Sequence, residues 1–243
     1  MKFSTAVAAA GMSSLVSAQT LNIPTRTGNI ISLPRPSYIS GAKDFNNQEF
    51  DRGRSCEFGL DLGVNEPVFI LENGASISNV IIGARQVYGV SCKGSCTLTN
   101  VWFRDVCEDA IAALGTGDVL VKGGGARNGA GDIIRHNGRG TVTVDSFTVV
   151  DSARLYRSCG DCSNNGGPRN VVVKNVKVSG LKSELVGINS NFNDVATVSG
   201  SCGTSSKVCQ EYRGVAKGSS SYKVTTTANC QGAQGKLANL PAC

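Results

Sequence analysis

The chain has 243 residues, among them 30 glycines and ten cysteines, and it carries a formal net charge of +6. This length fits a single domain, and the abundance of Gly, Val, Asn, Ser and Thr with little amphipathic helix pattern indicates an all-β protein. The basic residues are scattered, so the charge favours an acidic polysaccharide over nucleic acid as a partner. No apolar stretch approaches the length needed to cross a bilayer, so no membrane partner is expected.

Residues 1–18 have the pattern of a secretory signal peptide. Lys2 supplies a positive charge, an Ala-rich apolar stretch follows, and Val16-Ser17-Ala18 forms a small-residue cleavage site before residue 19. The mature protein, 19–243, is therefore predicted to be secreted, extracellular and soluble, and we expect a monomer.

All ten cysteines follow the predicted cleavage site, at positions 56, 92, 96, 107, 159, 162, 202, 209, 230 and 243. In an oxidising compartment an even number predicts a disulfide-rich protein, although spacing does not give the connectivity. The pairs Cys92/Cys96 and Cys159/Cys162 leave zinc half-sites open as the alternative. Residues 202–243 hold four of the ten cysteines, which predicts a Cys-rich C-terminal cap within the 19–243 domain.

Residues 19–65 carry several prolines and predict an extended lead-in. After it, a repeat of short alternating strand, polar corner and second strand organises the chain. It occurs in segments 75–83, 96–103, 140–149 and 170–178, and the corner asparagines 79 and 100 are 21 residues apart. Such periods indicate a stacked solenoid, and units with two or three strands of a few residues predict a parallel β-helix. Its interior ladders are predicted to include Ile77, Leu98, Val142 and Val172.

Segment 102–110 concentrates acidic residues between apolar stretches. Asp105, Glu108 and Asp109 fall within five residues and would repel one another without a cation. A hard cation such as Ca²⁺ is the simplest candidate, and ordinary loop carboxylates facing water are the alternative.

Five segments together resemble the fungal pectate lyases of polysaccharide lyase family 3. They are 67–83, Gly89-Val-Ser-Cys-Lys-Gly-Ser-Cys96, Asp105-Val-Cys-Glu-Asp-Ala110, Lys122-Gly-Gly-Gly-Ala-Arg127 and Arg154-Leu-Tyr-Arg-Ser-Cys-Gly-Asp-Cys162. The resemblance implies a right-handed parallel β-helix. It also implies a calcium-dependent pectate lyase that cleaves pectin, as polygalacturonate of plant cell walls, by β-elimination to 4,5-unsaturated oligogalacturonates.

The resemblance also assigns site residues. Glu108 and Asp109 match the family's calcium ligands, and Asp105 matches a nearby acid. Arg157 matches the essential arginine, and Arg154 stands where lysine is usual, so both are predicted to be catalytic. The predicted substrate-binding residues are Lys93, Lys122, Arg127 and Arg135.

The departures from the family are specific. Tyr88 stands where the family has a third calcium ligand, and Ser91 stands where the family has a histidine. Leu114 replaces one lysine, and Asp132, or Ile133 after a slip of one residue, replaces the lysine expected to be the base. Restoring that lysine by Asp132→Lys should raise activity if this loss limits it.

Arg135, Lys93, Lys122 and Arg127 are the nearby residues weighed as substitutes for the absent base, and spacing does not rank the last three. Arg135 lies three residues from Asp132, which places it on the opposite face of a regular strand, so it serves only where the backbone is irregular. His136, the single histidine, is expected to be structural.

Three functions remain open. The first is a pectate lyase, and the second is a catalytically impaired relative that acts as a pectin-binding or host-interaction protein. The third is a polygalacturonase that hydrolyses with paired carboxylates on a similar solenoid.

Overall fold

The computed structural model describes residues 20–56 and 66–243, and the predicted signal peptide, 1–18, lies outside them. The described residues form strands β1 (Ile31–Ser32), β2 (Ser37–Ile39), β3 (Ala42–Asp51), β4 (Pro67–Leu71), β5 (Ala75–Ile82), β6 (Tyr88–Cys92), β7 (Cys96–Phe103), β8 (Ile111–Ala113), β9 (Val119–Arg127), β10 (Asp132–His136), β11 (Gly140–Asp145), β12 (Thr148–Val150), β13 (Arg154–Ser158), β14 (Arg169–Lys174), β15 (Lys177–Ser179), β16 (Glu184–Asn189), β17 (Ala196–Ser199), β18 (Cys202–Gly203), β19 (Lys207–Arg213), β20 (Tyr222–Lys223) and β21 (Cys230–Gln231). A single turn of 3-10 helix spans Ser190–Phe192, and residues 20–56 and 66–243 contain no α-helix. Accordingly, no helix in the described ranges has the length and apolar character of a membrane span.

Two sheets run along the molecule. Sheet A has twelve strands, and its main order is β1-β3-β5-β7-β9-β11-β14-β17-β21, with β12, β15 and β18 beside it. Sheet B has nine strands in the order β2-β4-β6-β8-β10-β13-β16-β19-β20. The pairs are parallel except β19 with β20, which is antiparallel. Because the chain alternates between the sheets and returns in register one coil further on, the fold is the predicted parallel β-helix.

The polar corners are built from residues in the left-handed backbone region. Asn79, Asn100 and Asn175 have φ of 49°, 53° and 56°. Asparagine tolerates this region better than other side chains with a Cβ. Asn100 Nδ2 also donates to Asn79 Oδ1 at 3.1 Å, which joins neighbouring coils. The Asn-Val corners recognised in the sequence are thus the turning points of successive coils.

Aliphatic stacks fill the interior. Ile77, Leu98 and Val142 are buried as predicted. The prediction for Val172 is wrong, because this residue is half-buried and its neighbours Val171 and Val173 point inward. Three consecutive valines give no alternation from which the inward face could be read, and a slip of one residue reverses every side chain.

The ten cysteines form five disulfides, which confirms the disulfide-rich prediction. The pairs are Cys56–Cys107, Cys92–Cys96, Cys159–Cys162, Cys202–Cys243 and Cys209–Cys230. The two pairs considered as zinc half-sites are therefore bonded within themselves, and no thiolate is left to bind zinc. Residues 202–243 contribute β18 to β21 to the sheets and hold two of the disulfides.

Candidate active site

Charged residues begin three successive strands of sheet B. Asp132 begins β10, Arg154 begins β13 and Glu184 begins β16. The register between β10 and β13 pairs Asp132 with Arg154. Strand β13 pairs with β16 on its other side, and there Glu184 lies next to Arg154. Since parallel strands stack in register, these side chains form a row along the helix axis. We call this row and the side chains bound to it the site face.

One end of the site face is an arginine held by two carboxylates. Arg135 Nε lies 2.7 Å from Asp109 Oδ2, and its Nη2 lies 3.4 Å from Asp132 Oδ2. The Asp109 and Asp132 side chains are only 3% and 11% exposed, whereas Arg135 is 36% exposed. The carboxylates therefore lie beneath the guanidinium and leave it as the group that meets solvent.

The alternation of charge continues through Arg154. Its Nε lies 3.4 Å from Asp132 Oδ1 and its Nη1 lies 3.4 Å from Glu184 Oε1. Lys223 Nζ, on β20, lies 3.8 Å from Glu184 Oε2. Arg154 Nε makes no hydrogen bond among the described residues, so its attraction to Asp132 is charge pairing only. Negative and positive side chains therefore alternate along the site face, in the order Asp109, Arg135, Asp132, Arg154, Glu184 and Lys223.

Arg157 lies in the neighbouring row and pairs across the strands with Arg135. Its Nη1 donates to the Ser158 carbonyl at 2.7 Å and to Asn189 Oδ1 at 3.1 Å, and its Nη2 donates to Ser221 Oγ at 3.1 Å. These bonds fix the guanidinium in one orientation. Burial lowers the pKa of Arg157, and the nearby charge of Arg154 lowers it further.

Burial also governs the acidic end. It raises the pKa of Asp109 to about 6, although the charge of Arg135 acts in the opposite direction. Burial lowers the pKa of Arg135, but the charges of Asp109 and Asp132 outweigh it and the net pKa is raised. Arg135 therefore remains a cation at any pH at which the fold survives.

The chain matches the pectate lyase family over residues 20–219. It belongs to the pectate lyase family. A probable pectate lyase E of Neosartorya fischeri is 45% identical over 194 residues, which cover 79% of this chain and 75% of the relative. Pectate lyase H of Emericella nidulans is 43% identical over 209 residues, covering 84% and 79%.

Solved pectate lyases share the fold. The catalytic domain of pectate lyase PelI from Erwinia chrysanthemi superposes with a TM-score of 0.66 at 33% identity, covering 82% of this chain and 99% of that domain. PelI in complex with tetragalacturonic acid gives a TM-score of 0.68 at 33% identity, covering 83% and 69%. The fold and the family assignment therefore agree.

The structure brings Arg135, Arg154 and Arg157 together with Asp109, four of the residues predicted for a pectate lyase site. Glu108 precedes Asp109, is half-buried, and its charge contributes to the raised pKa of Asp109.

Asp105 lies further back along the chain, after β7. It is half-buried, and its carbonyl oxygen accepts a 2.8 Å hydrogen bond from Gln86 Nε2.

Three predicted substrate-binding residues lie away from the site face. Lys93 is exposed just after β6, at the opposite end of that strand from Tyr88. Lys122 and Arg127 are exposed on β9, which belongs to sheet A, and Arg127 Nε donates to the Arg104 carbonyl at 2.8 Å. The described structure does not join these three to the arginines of the site face.

Two of the positions at which the resemblance implies a departure from the family pattern, Tyr88 and Ser91, lie close to the site face. Tyr88 begins β6 and packs with Val87 and Cys107. Ser91 is buried on the same strand, in the row that leads through Ala112 to Arg135. Both positions therefore lie beside the candidate site.

Leu114, another of these positions, lies further from the row. It follows β8 and is half-buried.

On a regular strand Arg135 would lie on the face opposite Asp132, and it could join the site only where the backbone is irregular. The structure shows that irregularity, because the two side chains form an ion pair although they are three positions apart. Between them Ile133 and Ile134 are both fully buried, so the inward-outward alternation is interrupted at the start of β10. This irregularity is the condition under which Arg135 could join the site.

Pectate lyases generally depend on calcium. Whether this site could hold a calcium ion depends on the oxygen ligands that its residues offer. Asp109 Oδ1 is buried and has no hydrogen-bond partner among the described residues, which is one free ligand. Asp109 Oδ2 and Asp132 Oδ2 pair with Arg135, and Asp132 Oδ1 pairs with Arg154. Within the two described ranges, no three acidic, His or Cys side chains are grouped to hold a metal. With Arg135 in place, the site does not fit a calcium ion.

His136 is structural, as expected. It is fully buried, and its Nδ1 lies 2.8 Å from the Tyr156 hydroxyl. Burial, with the charges of Arg169 and Arg139, lowers its pKa to about 3, so the ring is neutral at physiological pH.

Five residues of the site were not predicted from the sequence: Glu184, Asn189, Tyr212, Ser221 and Lys223. Glu184 offered a signal, because like Asp132 it stands directly before an apolar strand. Ser221 offered none, since it reaches Arg157 from 64 residues away.

Proposed function

We propose that this pectate lyase binds polygalacturonate on the site face of sheet B and cleaves it by β-elimination to 4,5-unsaturated oligogalacturonates. The observation that carries the proposal is the meeting of Arg135, Arg154 and Arg157 on one face, each held by acidic or polar partners. Guanidinium groups bind carboxylates through paired hydrogen bonds, and galacturonate presents a carboxylate on every sugar. A solved relative was obtained in complex with tetragalacturonic acid, which supports this substrate class.

The reaction requires a base and a cation. The base removes the proton at C5, the electron pair forms the C4–C5 double bond, and the C4–O bond breaks while its oxygen receives a proton. A cation at the substrate carboxylate stabilises the negative charge that develops there. Arg157 is the proposed base, because burial lowers its pKa and its hydrogen bonds hold it in place.

Secretion, calcium dependence and the monomeric state are predictions that extend beyond the geometry of the site. The predicted signal peptide and the five disulfides support a secreted protein that meets pectin outside the cell. The resemblance predicts calcium dependence, whereas the donors described above do not fit a calcium ion, and no step above passes through calcium. The monomeric state remains a prediction.

A second candidate is a protein that binds pectin without cleaving it. The observation that favours it is Asp132, an acid at the usual lysine position, which pairs with Arg154. This arrangement keeps a substrate-binding surface while removing the family's base.

One assay tests these functions. The purified protein is incubated with polygalacturonate, and the ultraviolet absorbance of unsaturated products and the number of reducing ends are followed. A lyase increases both, and a polygalacturonase increases only the reducing ends. Retention on a polygalacturonate gel without either signal supports the pectin-binding candidate.

A further inference from the structure

The contact between Arg135 and the two aspartates places a fixed positive charge where the family resemblance puts calcium. Asp109 and Asp132 both contact the Arg135 guanidinium, so two buried negative charges lie close together. Arg135 relieves this repulsion through its ion pairs at 2.7 and 3.4 Å. The guanidinium is thus the counter-ion of the acidic pocket.

Calcium would have to displace this counter-ion. Of the four carboxylate oxygens of Asp109 and Asp132, only Asp109 Oδ1 has no partner among the described residues, and one such oxygen is far from the six to eight that calcium takes. Arg135 is covalently part of the site, so its effective concentration at Asp109 far exceeds that of calcium in solution. The intact chain should therefore bind calcium weakly at this place.

The exposed part of Arg135 suits a substrate carboxylate. Its contacts with the aspartates use Nε and Nη2, and neither uses Nη1. At 36% exposure the side chain is the most accessible of the three that form this pocket. A guanidinium held from below by carboxylates is oriented in advance and loses little entropy on binding an anion.

We propose that Arg135, in place of a calcium ion, binds and neutralises the carboxylate of the galacturonate that loses its C5 proton. The proposal rests on the lyase function proposed above. In the balanced step, the C5 proton passes to the base and the electron pair of the C5–H bond becomes the C4–C5 double bond. The C4–O bond breaks, and the released oxygen takes a proton from water. Arg135 forms no covalent bond and keeps its protons. Asp132, at the usual lysine position, acts as a positioning residue for Arg135.

The test compares the wild-type mature protein with Arg135→Gln, Arg135→Lys and a control, Lys174→Gln. Lys174 pairs with Asp145 at 3.3 Å in sheet A, so the control also removes a cation from an aspartate, but away from the site face. Initial lyase rates are measured with a chelator and with added calcium chloride. Calcium chloride and tetragalacturonate are each titrated calorimetrically into every protein, and thermal unfolding confirms that each variant is folded.

The proposal expects the wild type and the control to keep most of their rate in chelator. Arg135→Gln should lose about 100-fold in chelator, bind tetragalacturonate more weakly and bind calcium more tightly than the wild type, and regain part of its rate when calcium is added. Arg135→Lys, which keeps the charge without the planar fork, should fall between them. Rescue by calcium separates a cationic role from a purely structural one.

The proposal is overturned if chelation abolishes the wild-type rate, or if the wild type and Arg135→Gln bind calcium equally well. If the wild type releases no unsaturated product under any condition, the lyase function itself fails. The titrations then decide the role of Arg135. Weaker tetragalacturonate binding and tighter calcium binding in Arg135→Gln support it as the carboxylate-binding cation, and unchanged titrations refute it.

Discussion

The guanidinium carbon of Arg157 lies 3.9 Å from the centre of the Tyr212 ring. The Tyr212 hydroxyl in turn donates a 2.6 Å hydrogen bond to Glu184, which also pairs with Arg154. The ring therefore connects the proposed base with the row of alternating charges. A buried cation–π contact of this kind is worth up to about 2 kcal/mol.

This contact predicts different effects for two substitutions. Tyr212→Leu removes the ring beneath Arg157 and should lower kcat/KM about tenfold, which corresponds to about 1.4 kcal/mol. Tyr212→Phe keeps the ring, so it should retain most of the activity and lose about 1–2 kcal/mol of unfolding free energy with the hydrogen bond to Glu184. Steady-state kinetics and urea unfolding measure both. Equal kinetic losses in the two variants would show that the hydroxyl, not the ring, matters for Arg157.

The structure reverses the effect expected for Asp132→Lys. From the sequence, restoring the family's lysine should raise activity. In the structure Asp132 pairs with both Arg135 and Arg154, so a lysine would leave two arginines without that partner and add a third cation. We expect a loss of about 3 kcal/mol of unfolding free energy and a fall in lyase rate. A higher rate with unchanged stability would show that the absent lysine limits this enzyme.

His136 predicts acid-sensitive stability. Its pKa is about 3 in the folded protein and near the ordinary histidine value of 6.5 when unfolded. Between these values the unfolded chain binds the proton and the folded chain does not, so stability falls as the pH drops from 6.5 towards 3. The full effect is on the order of 5 kcal/mol. Asp109, whose folded pKa is raised to about 6, acts in the opposite direction as the pH falls through 6.

The contribution of His136 is isolated by His136→Asn. Urea unfolding of the wild type and this variant across pH 4 to 7 should show a shallower acid slope in the variant, because the titrating ring is gone while Asp109 is unchanged. Parallel slopes would mean that the folded protein also protonates His136 over this range.

The disulfide Cys56–Cys107 should contribute more to stability than Cys159–Cys162. The first joins residues 51 apart and the second joins residues three apart. The chain-entropy model gives about 4 kcal/mol for the longer loop and about 2 kcal/mol for the shorter. Double Cys→Ala variants of each pair, compared by urea unfolding, measure the difference. An equal loss in both would contradict the loop-length explanation.

The sequence was sufficient for the architecture, because the repeat is written in local features. Asn79 and Asn100 mark corners through their tolerance of the left-handed region, and the flanking strands alternate clearly. Where alternation failed, so did the prediction. The valine run around Val172 carries no inward or outward signal, and it was assigned to the wrong face.

The site was predictable only where its chemistry is local. The resemblance of short motifs to the family singles out Asp109 and Arg157, and their roles in the site stay predictions. The pairing of Arg135 with Asp132 depends on two consecutive buried isoleucines, and the contact between Arg157 and Ser221 spans 64 residues. Neither arrangement follows from strand periodicity, because both depend on how coils stack in space.

The most direct test is the initial rate at which unsaturated product forms from polygalacturonate in the presence of a chelator, for the wild type and Arg135→Gln. The central claim is that a site face of arginines performs the elimination with Arg135 as its cation. It predicts a measurable wild-type rate and a loss of about 100-fold in the variant. A wild-type rate that disappears with chelation, or reducing ends that form without unsaturated product, would contradict it.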